Sequence, residues 1–323
     1  MKKVLIFGAS GQIGRYLIRK LTKNNYIVTA VTRNTHQKAY LLKTQANAGY
    51  LNIVQTSIFD ENKLRSLISD TNICINLIGI LYEQSKKSNF QNIHVNFPYL
   101  ISKLANEYNI EQFIHISALG IDEAQESVYA NSKLKGENNV RKNFLKSTIV
   151  RPSVVYSVDD NFTTNFMTLL SRLPLMPLFY NGETKFAPLH VSDFTEIITQ
   201  VILNQIKNQT IECIGPEELS FKEIIKKLLN AIERKRFLVP IPLPIAKIQA
   251  TLLEFLPSFL QGGRKQLTSD QLRLLKYNNI PSKRYKTNLD LQFNPKLKYF
   301  GKEILKYSYM WKVGGEYSKK KSI

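Results

Sequence analysis

Through residue 151, short unbroken apolar runs alternate with stretches whose apolar residues return every three or four positions. Runs of the first kind fit strands buried on both faces, and stretches of the second kind fit helices with one apolar side. Val4 to Phe7 is such a run, and Ile13, Leu17, Ile18 and Leu21 follow at helical spacing. Further strands are predicted over residues 26–32, 51–56, 72–78, 112–116 and 148–151. Helices are predicted from Asp60 onward, over 90–108 and over 129–141. Strand and helix in alternation give an α/β fold, a Rossmann-type doubly wound parallel sheet.

Beyond Pro152 the alternation becomes irregular. A helix is predicted over 162–173, then a Pro-rich connection, a strand over 185–191, a helix opened by Ser192 and Asp193, and a strand over 210–214. Ser220 and Glu223 stand three apart before Ile224, Ile225, Leu228 and Leu229, the pattern of a capping box. Residues 245–260 are apolar around much of a helix and are interrupted by Pro257. Sixteen residues are too few to span a bilayer, so this stretch either packs on the protein or lies against a membrane or partner helix. Trp311, Tyr307 and Tyr309 fit an interfacial belt and equally fit ordinary packing. The expected organisation is a dinucleotide-binding domain over 1–156, with some later segments returning to it, and a smaller C-terminal α/β-to-helical region over 157–317. That region would cover the ligand crevice or dock to a partner. A basic, disordered tail is expected over 318–323, around Ser318 and Lys319 to Lys321.

Candidate chemistry begins where the first strand ends. Gly8, Gly11 and Gly14 follow Phe7 directly and lead into the first helix. Gly8 permits the tight turn, Gly11 lets the backbone approach a pyrophosphate, and Gly14 lets the helix lie close to the sheet. Ser10, Gln12 and Ile13 complete the turn and the helix N-terminus, where partial positive charge meets phosphate. The next strand ends in Val31-Thr32-Arg33-Asn34. An acidic residue there would hold a ribose 2′-hydroxyl, whereas an arginine accommodates a 2′-phosphate, so Arg33 favours NADP(H) over NAD(H). Asp60 is either a helix N-cap or an adenine-side contact, with capping preferred. Leu77 and Gly79 lie at the end of the strand over 72–78, along the expected crevice. Tyr129 and Lys133 are four apart and share one helix face. An ammonium beside a phenol is expected to lower its pKa from about 10 and suit it to proton transfer. Ser117, at a strand end, is placed to hydrogen-bond a substrate oxygen.

Composition narrows these readings. The chain has 323 residues, enough for one or two domains, and an ordinary 43% hydrophobic content. No apolar run is long enough for a transmembrane helix. The first strand starts almost at Met1, so no signal or transit peptide is expected in this form. Cys74 and Cys213 make no disulfide framework, and Cys74 sits in an apolar strand, which fits reduced core thiols and a reducing compartment. His36, His94, His115 and His190 are scattered without ligand spacing, so no metal site is expected. There is no G-x-S-x-G nucleophile elbow. The net charge is +20, and residues 261–323 hold 15 Lys and Arg against 4 Asp and Glu, a net +11. This charge suits an anionic membrane surface, an acidic protein face or nucleic acid, or else is the solvated face of a lysine-rich composition.

The set Gly8, Gly11, Gly14, Ser117, Tyr129 and Lys133, in that order, resembles the short-chain dehydrogenase/reductase superfamily in its extended or atypical form. Asn96 stands where the extended type often carries a helix asparagine, and Arg151-Pro152-Ser153 resembles the strand-end segment that follows, which brings Pro152 to the cofactor site. In that superfamily the Tyr is the general acid/base, the Lys lowers its pKa and holds the nicotinamide ribose, and the Ser positions the substrate carbonyl. Four segments narrow the resemblance: residues 76–79 (NLIG), 113–117 (FIHIS), 187–193 (APLHVSD) and 237–244 (FLVPIPLP). Together they are similar to the nucleotide-binding accessory subunit of respiratory complex I and its bacterial relatives, over most of the chain to about residue 310. That resemblance implies tightly held, structural NADP(H) without known turnover. It implies docking on complex I subunits or an anionic membrane surface through the basic C-terminal region, with nucleic acid not favoured. The place implied is cytoplasmic and peripheral to the inner respiratory membrane, or the matrix side in a eukaryote. Two alternatives stay open: an active NAD(P)-dependent reductase, dehydrogenase or epimerase using Ser117, Tyr129 and Lys133 on an unknown substrate, and a redox-sensing NADP(H)-binding module.

Overall fold

The computed structural model describes residues 1–245, 268–291, 293 and 296–315. The expected apolar helix beyond Ile245, its break at Pro257 and the tail over 318–323 lie outside the described residues. In chain order the principal elements are β1 (Lys3–Phe7), α1 (Gln12–Lys23), β2 (Ile27–Thr32), α2 (Thr35–Lys43), β3 (Leu51–Gln55), α3 (Glu61–Ser69), β4 (Ile73–Asn76), α4 (Phe97–Glu107), β5 (Gln112–Ile116), α5 (Val128–Asn143) and β6 (Thr148–Pro152). There follow β7 (Val155–Tyr156), α6 (Thr163–Arg172), β8 (Leu175–Leu178), β9 (Lys185–Phe186), β10 (Leu189–His190), α7 (Val191–Leu203), β11 (Gln209–Cys213), β12 (Leu219–Ser220), α8 (Phe221–Ala231), β13 (Phe237–Pro240) and, later, β14 (Lys286–Thr287).

The chain divides into two compact units. The first comprises Met1–Pro152, Val191–Cys213 and Pro281–Pro295. Its eight strands form one sheet in the order β14-β11-β6-β5-β4-β1-β2-β3, and every pairing is parallel. The chain runs outward from β1 through β2 and β3, then crosses back so that β4 pairs with the other side of β1. The strand order therefore reverses between β1 and β4, where open α/β sheets bind ligands at the carboxyl ends of their strands. One core lies between the sheet and α3, α4 and α5, built from Leu5, Phe7, Cys74 and Phe113 against Leu64, Ile101 and Val140 among others. Across the sheet α1 packs on α7, where Lys20 pairs with Glu196. Both cysteines are buried, unbridged thiols.

The second unit comprises Ser153–His190, Ile214–Ile280 and Lys296–Ile323. Its described part is built around α8, whose Ile224, Ile225 and Leu228 pack with Tyr156, Met167, Phe186 and Phe300. The capping box at α8 is formed: the Ser220 hydroxyl accepts from the Glu223 N–H, and the Glu223 carboxylate accepts from the Ser220 N–H. Three two-stranded pairs, β7 with β10, β9 with β12 and β8 with β13, complete it.

Three local expectations change. The strand expected over 185–191 is two strands in different sheets, separated at Ala187-Pro188. The reason is packing: a Cβ at Gly215 would lie 1.8 Å from the Pro188 carbonyl oxygen, so another backbone passes there. The helix expected over 90–108 opens with a wide π-helical turn, Gln91–Asn96, before α4. Pro98 has no N–H to return to the His94 carbonyl, which favours loosening that turn. Finally, α2 lies where no helix is expected, because its only buried residue is Leu42.

Candidate functional site

The first unit brings most of the expected residues to the carboxyl ends of β1, β4 and β5. At the end of β1, Gly8 has φ +79°, a left-handed conformation that disfavours side chains. The Gly11 N–H donates to the Gly8 carbonyl at 3.0 Å and closes the turn. Gly11 is the cap of α1 and offers no side chain to its first turn, so backbone dipole faces the crevice. A Cβ at Gly14 would lie 2.4 Å from the Ala9 carbonyl oxygen, so only glycine lets α1 sit this close. Gln12 and Ile13 form the first turn of α1 and are half-buried. Ser10 is half-buried, with its carbonyl accepting from Arg15 Nη1 at 2.9 Å. This cradle is shaped for a pyrophosphate. Arg15, through its bond to the Ser10 carbonyl, lies against the turn, a contact the sequence does not signal because Arg15 sits one turn inside the helix.

Arg33 follows the last residue of β2 and is exposed, and no acidic residue stands at that strand end. Asn34 caps α2 by accepting from the Gln37 N–H. Asp60 is given the capping role: its carboxylate accepts from the Lys63 N–H at 3.1 Å. The Leu77 N–H donates to the Phe7 carbonyl, and Phe7 pairs with Asn76, so residues 77–79 run beside the glycine turn. A Cβ at Gly8 would lie 3.1 Å from the Leu77 carbonyl carbon. Pro152 ends β6, and its carbonyl accepts from the Leu119 N–H.

On α5, Lys133 is 5% exposed, and its Nζ is 3.4 Å from the Ile116 carbonyl oxygen. A Cβ on Gly79 would stand 3.1 Å from that same Nζ, so Gly79 leaves the space the ammonium occupies. Burial pulls Lys133 down to about 8, and Glu137 opposes the shift. Tyr129 is half-buried with its ring edge-on to Phe90 and His94. The expected lowering of its pKa is reversed: desolvation pushes the phenol up to about 12. Loss of solvent alone sets this shift, with no lowering contribution from the ammonium one turn along α5. The Ser117 hydroxyl is buried at the end of β5 without a partner among the described residues. Lys133, Tyr129 and Ser117 are thus a buried cation, a protonated phenol and an available hydroxyl, a set able to hold a polar ligand.

Histidines that looked scattered in the sequence belong here. His94 and His115 are buried, and burial with the Lys133 charge holds them neutral, at about 2 and about 3. Asn76 Nδ2 donates to His115 Nδ1 at 3.1 Å, and Asn76 Oδ1 accepts from the Ile78 N–H. Helix α5 is anchored by ions as well. Glu137 accepts from Arg151 Nε at 2.8 Å and Nη2 at 2.7 Å and from Arg141 Nη2 at 2.9 Å, while Asp122 takes Arg151 Nη1 at 2.5 Å. Arg151 also stacks over the Tyr285 ring at 4.8 Å. Among the described residues no group of His, Cys, Asp and Glu could hold a metal ion, and no helix is long and apolar enough to cross a membrane.

Residues 4–214 match the model of the NAD dependent epimerase/dehydratase family. The chain belongs to that family. Among curated proteins it is 26% identical over 250 residues to the NADH-ubiquinone oxidoreductase 40 kDa subunit of Neurospora crassa, covering 77% of this chain and 65% of that protein. It is also 26% identical over 307 residues to the NADH dehydrogenase [ubiquinone] 1 alpha subcomplex subunit 9 of Arabidopsis thaliana, covering 93% of this chain and 76% of that one. The chain thus spans less than two thirds of the Neurospora relative's length. Among solved structures, the UDP-glucuronic acid 4-epimerase of Bacillus cereus with UDP-glucuronic acid and NAD shares the fold, at TM-score 0.67 and 18% identity, over 95% of this chain and 98% of that one. The family's NAD dependence agrees with the glycine cradle at the end of β1.

Proposed function

We propose that this epimerase/dehydratase-family chain is an NADP(H)-binding accessory subunit of respiratory complex I that holds its nucleotide as a structural element. The observation that carries the nucleotide is the cradle of Gly8, Gly11 and Gly14 at the point where strand order reverses. Gly8, Ser10, Gly11, Gln12, Ile13 and Gly14 bind the pyrophosphate, with Arg15 beside them. Leu77, Gly79 and Pro152 line the nicotinamide half, and Tyr129 and Lys133 bind its ribose. Arg33 receives the 2′-phosphate, since an acid at that strand end is absent and a guanidinium pairs bidentately with phosphate. Asp60 caps its helix and shapes the adenine side at most through the backbone. Bound nucleotide stabilises the fold by mass action. The two relatives, one named as an NADH-ubiquinone oxidoreductase subunit and one as an NADH dehydrogenase [ubiquinone] subunit, support the assembly, and the +11 carried by residues 261–323 suits an acidic protein face or anionic lipid. The protein then sits peripherally on the inner respiratory membrane, facing the cytoplasm in a bacterium or the matrix in a eukaryote.

Purification from source membranes in mild detergent tests this reading. Co-migration with NADH:ubiquinone oxidoreductase activity, together with extractable NADP(H) that does not exchange, is expected. A free protein that exchanges nucleotide readily refutes it. One observation favours a second reading, an active oxidoreductase or epimerase. The buried Ser117 hydroxyl, half-buried Tyr129 and buried Lys133 would then act on a substrate: Ser117 holds its oxygen, Tyr129 carries the proton and Lys133 holds the ribose. A bound dinucleotide would supply or accept the hydride. The phenol at about 12 weighs against easy proton release before ligand binds.

A further inference from the structure

His94 sits in the wide turn of Gln91–Asn96, outside every glycine and Tyr-Lys motif, and it touches both sides of the site. The Ile80 N–H donates to His94 Nε2 at 3.1 Å, so the ring proton is on Nδ1. That Nδ1–H donates to the Ser132 hydroxyl at 2.8 Å, and the hydroxyl donates to the Tyr129 carbonyl at 2.7 Å. One imidazole therefore links the segment after β4 to the first turn of α5. Its faces are also held. Phe90 stacks on the ring at 5.3 Å, and the Tyr129 ring meets it edge-on at 5.4 Å. Two glycines make the approach possible. A Cβ on Gly79 would come within 3.8 Å of His94 Nε2, and a Cβ on Gly136 would lie 1.9 Å from the His94 carbonyl oxygen. Pro98, lacking an N–H, leaves that carbonyl without its helical donor, so α5 can pack against it at Gly136.

We propose that His94 is the positioning residue of this site: it clamps the segment around Gly79 to α5 and so sets where Tyr129 and Lys133 stand. The role rests on the reading that Tyr129 and Lys133 hold the nicotinamide ribose. The clamp's own hydrogen bonds end at Ile80, Ser132 and Tyr129, and none of them involves Gly8–Gly14 or Arg33. Its loss therefore acts on one half of the dinucleotide only. A neutral imidazole suits the task, because it donates through one nitrogen and accepts through the other.

Two variants cut the clamp at its two ends. His94→Phe keeps the ring stacked on Phe90 and removes both nitrogens, and Ser132→Ala removes the hydroxyl they address. NADPH and 2′,5′-ADP are titrated separately, with NADH and ADP in parallel. Both variants should bind NADPH about tenfold more weakly, the size of one hydrogen bond lost, and bind 2′,5′-ADP as before. His94→Gln, which restores an acceptor for Ile80, should recover most of the loss. Equal loss of whole nucleotide and fragment, or loss of neither, overturns the proposal. A second readout needs no nucleotide: the pH midpoint of Lys133, followed by NMR after ¹³C-methylation, should move up towards the free-lysine value in His94→Ala, whose missing ring parts the two segments and admits water. An unmoved midpoint overturns the clamp. Failure of the unsubstituted protein to bind any nucleotide sinks the functional reading instead, while the Lys133 titration still decides on His94.

Discussion

Replacing Glu137 by alanine should be among the most damaging single changes in the first unit. Glu137 is fully buried and accepts three charge-assisted bonds, two from Arg151 and one from Arg141. Arg151 is 1% exposed, so its guanidinium cannot turn to water when that partner goes. Removing one member of a buried pair costs about 3–5 kcal/mol. Asp122 keeps its grip on Arg151 Nη1 and Nη2, and the Tyr285 ring still covers the guanidinium, so the low end applies, about 3 kcal/mol. For a unit of this size that corresponds to a fall of about 6–12 °C in Tm. Urea unfolding followed by far-ultraviolet circular dichroism measures it: the midpoint should drop with the slope unchanged. Glu137→Leu combined with Arg151→Met and Asp122→Asn should recover most of the loss, because no carboxylate or guanidinium of the Arg151 pair is then left buried without its partner. The same variant lowers Lys133 further below about 8, since Glu137 is the group that raises it. A midpoint shift worth less than about 1 kcal/mol would refute the claim that these ions, rather than the surrounding apolar contacts, hold α5 to β6.

Three other outcomes are expected. Gly14→Ala places a methyl against the Ala9 carbonyl at 2.4 Å, so α1 must move off the sheet, with about 2 kcal/mol lost in thermal unfolding and NADPH binding weakened alongside. Arg33→Glu should weaken NADPH by well over tenfold and leave NADH nearly unchanged in fluorescence titrations, and equal effects on both would remove Arg33 from the phosphate site. Lys133 has its folded pKa depressed from 10.5 to about 8, so between those values the unfolded chain holds a proton that the native chain has released. Stability therefore rises with pH across that window, and the native protein should gain about 2–3 kcal/mol over Lys133→Met between pH 8 and 10.5 in urea titrations. A flat difference would mean that Lys133 is not buried as a charge.

The sheet was legible because its strands are continuous apolar runs and its helices keep one apolar face, both local properties. The glycine turn was legible because chain sterics demand glycine at Gly8 and Gly14 whatever lies elsewhere. Other features depend on residues far apart in the chain. That some later segments return to the first domain was expected, but which ones, α7 and β11, is set by β11 pairing with β6, a contact far apart in the chain. His94 gave no motif, because its partners come from Ile80 and Ser132, one on each side of it in the chain. Two local signs were present, Pro98 four residues on and Gly136 on the facing helix, but their meaning appears only when the two segments meet. The pKa of Tyr129 was misjudged for a related reason: spacing shows that Lys133 is near but not how little water reaches either group.

The all-parallel sheet also sets a timetable for synthesis. β6 is an interior strand, yet its outer neighbour β11 begins at Gln209 and the final strand β14 ends at Thr287. A nascent chain that has reached Pro152 carries a nucleotide cradle in full but a sheet with one raw edge. At roughly 5–20 residues per second, β11, the strand that covers β6, is complete roughly 3–12 s after β6 has been made. During that interval the edge of β6 is open to other strands, and an early nucleotide would hold the half-built sheet together before its border exists.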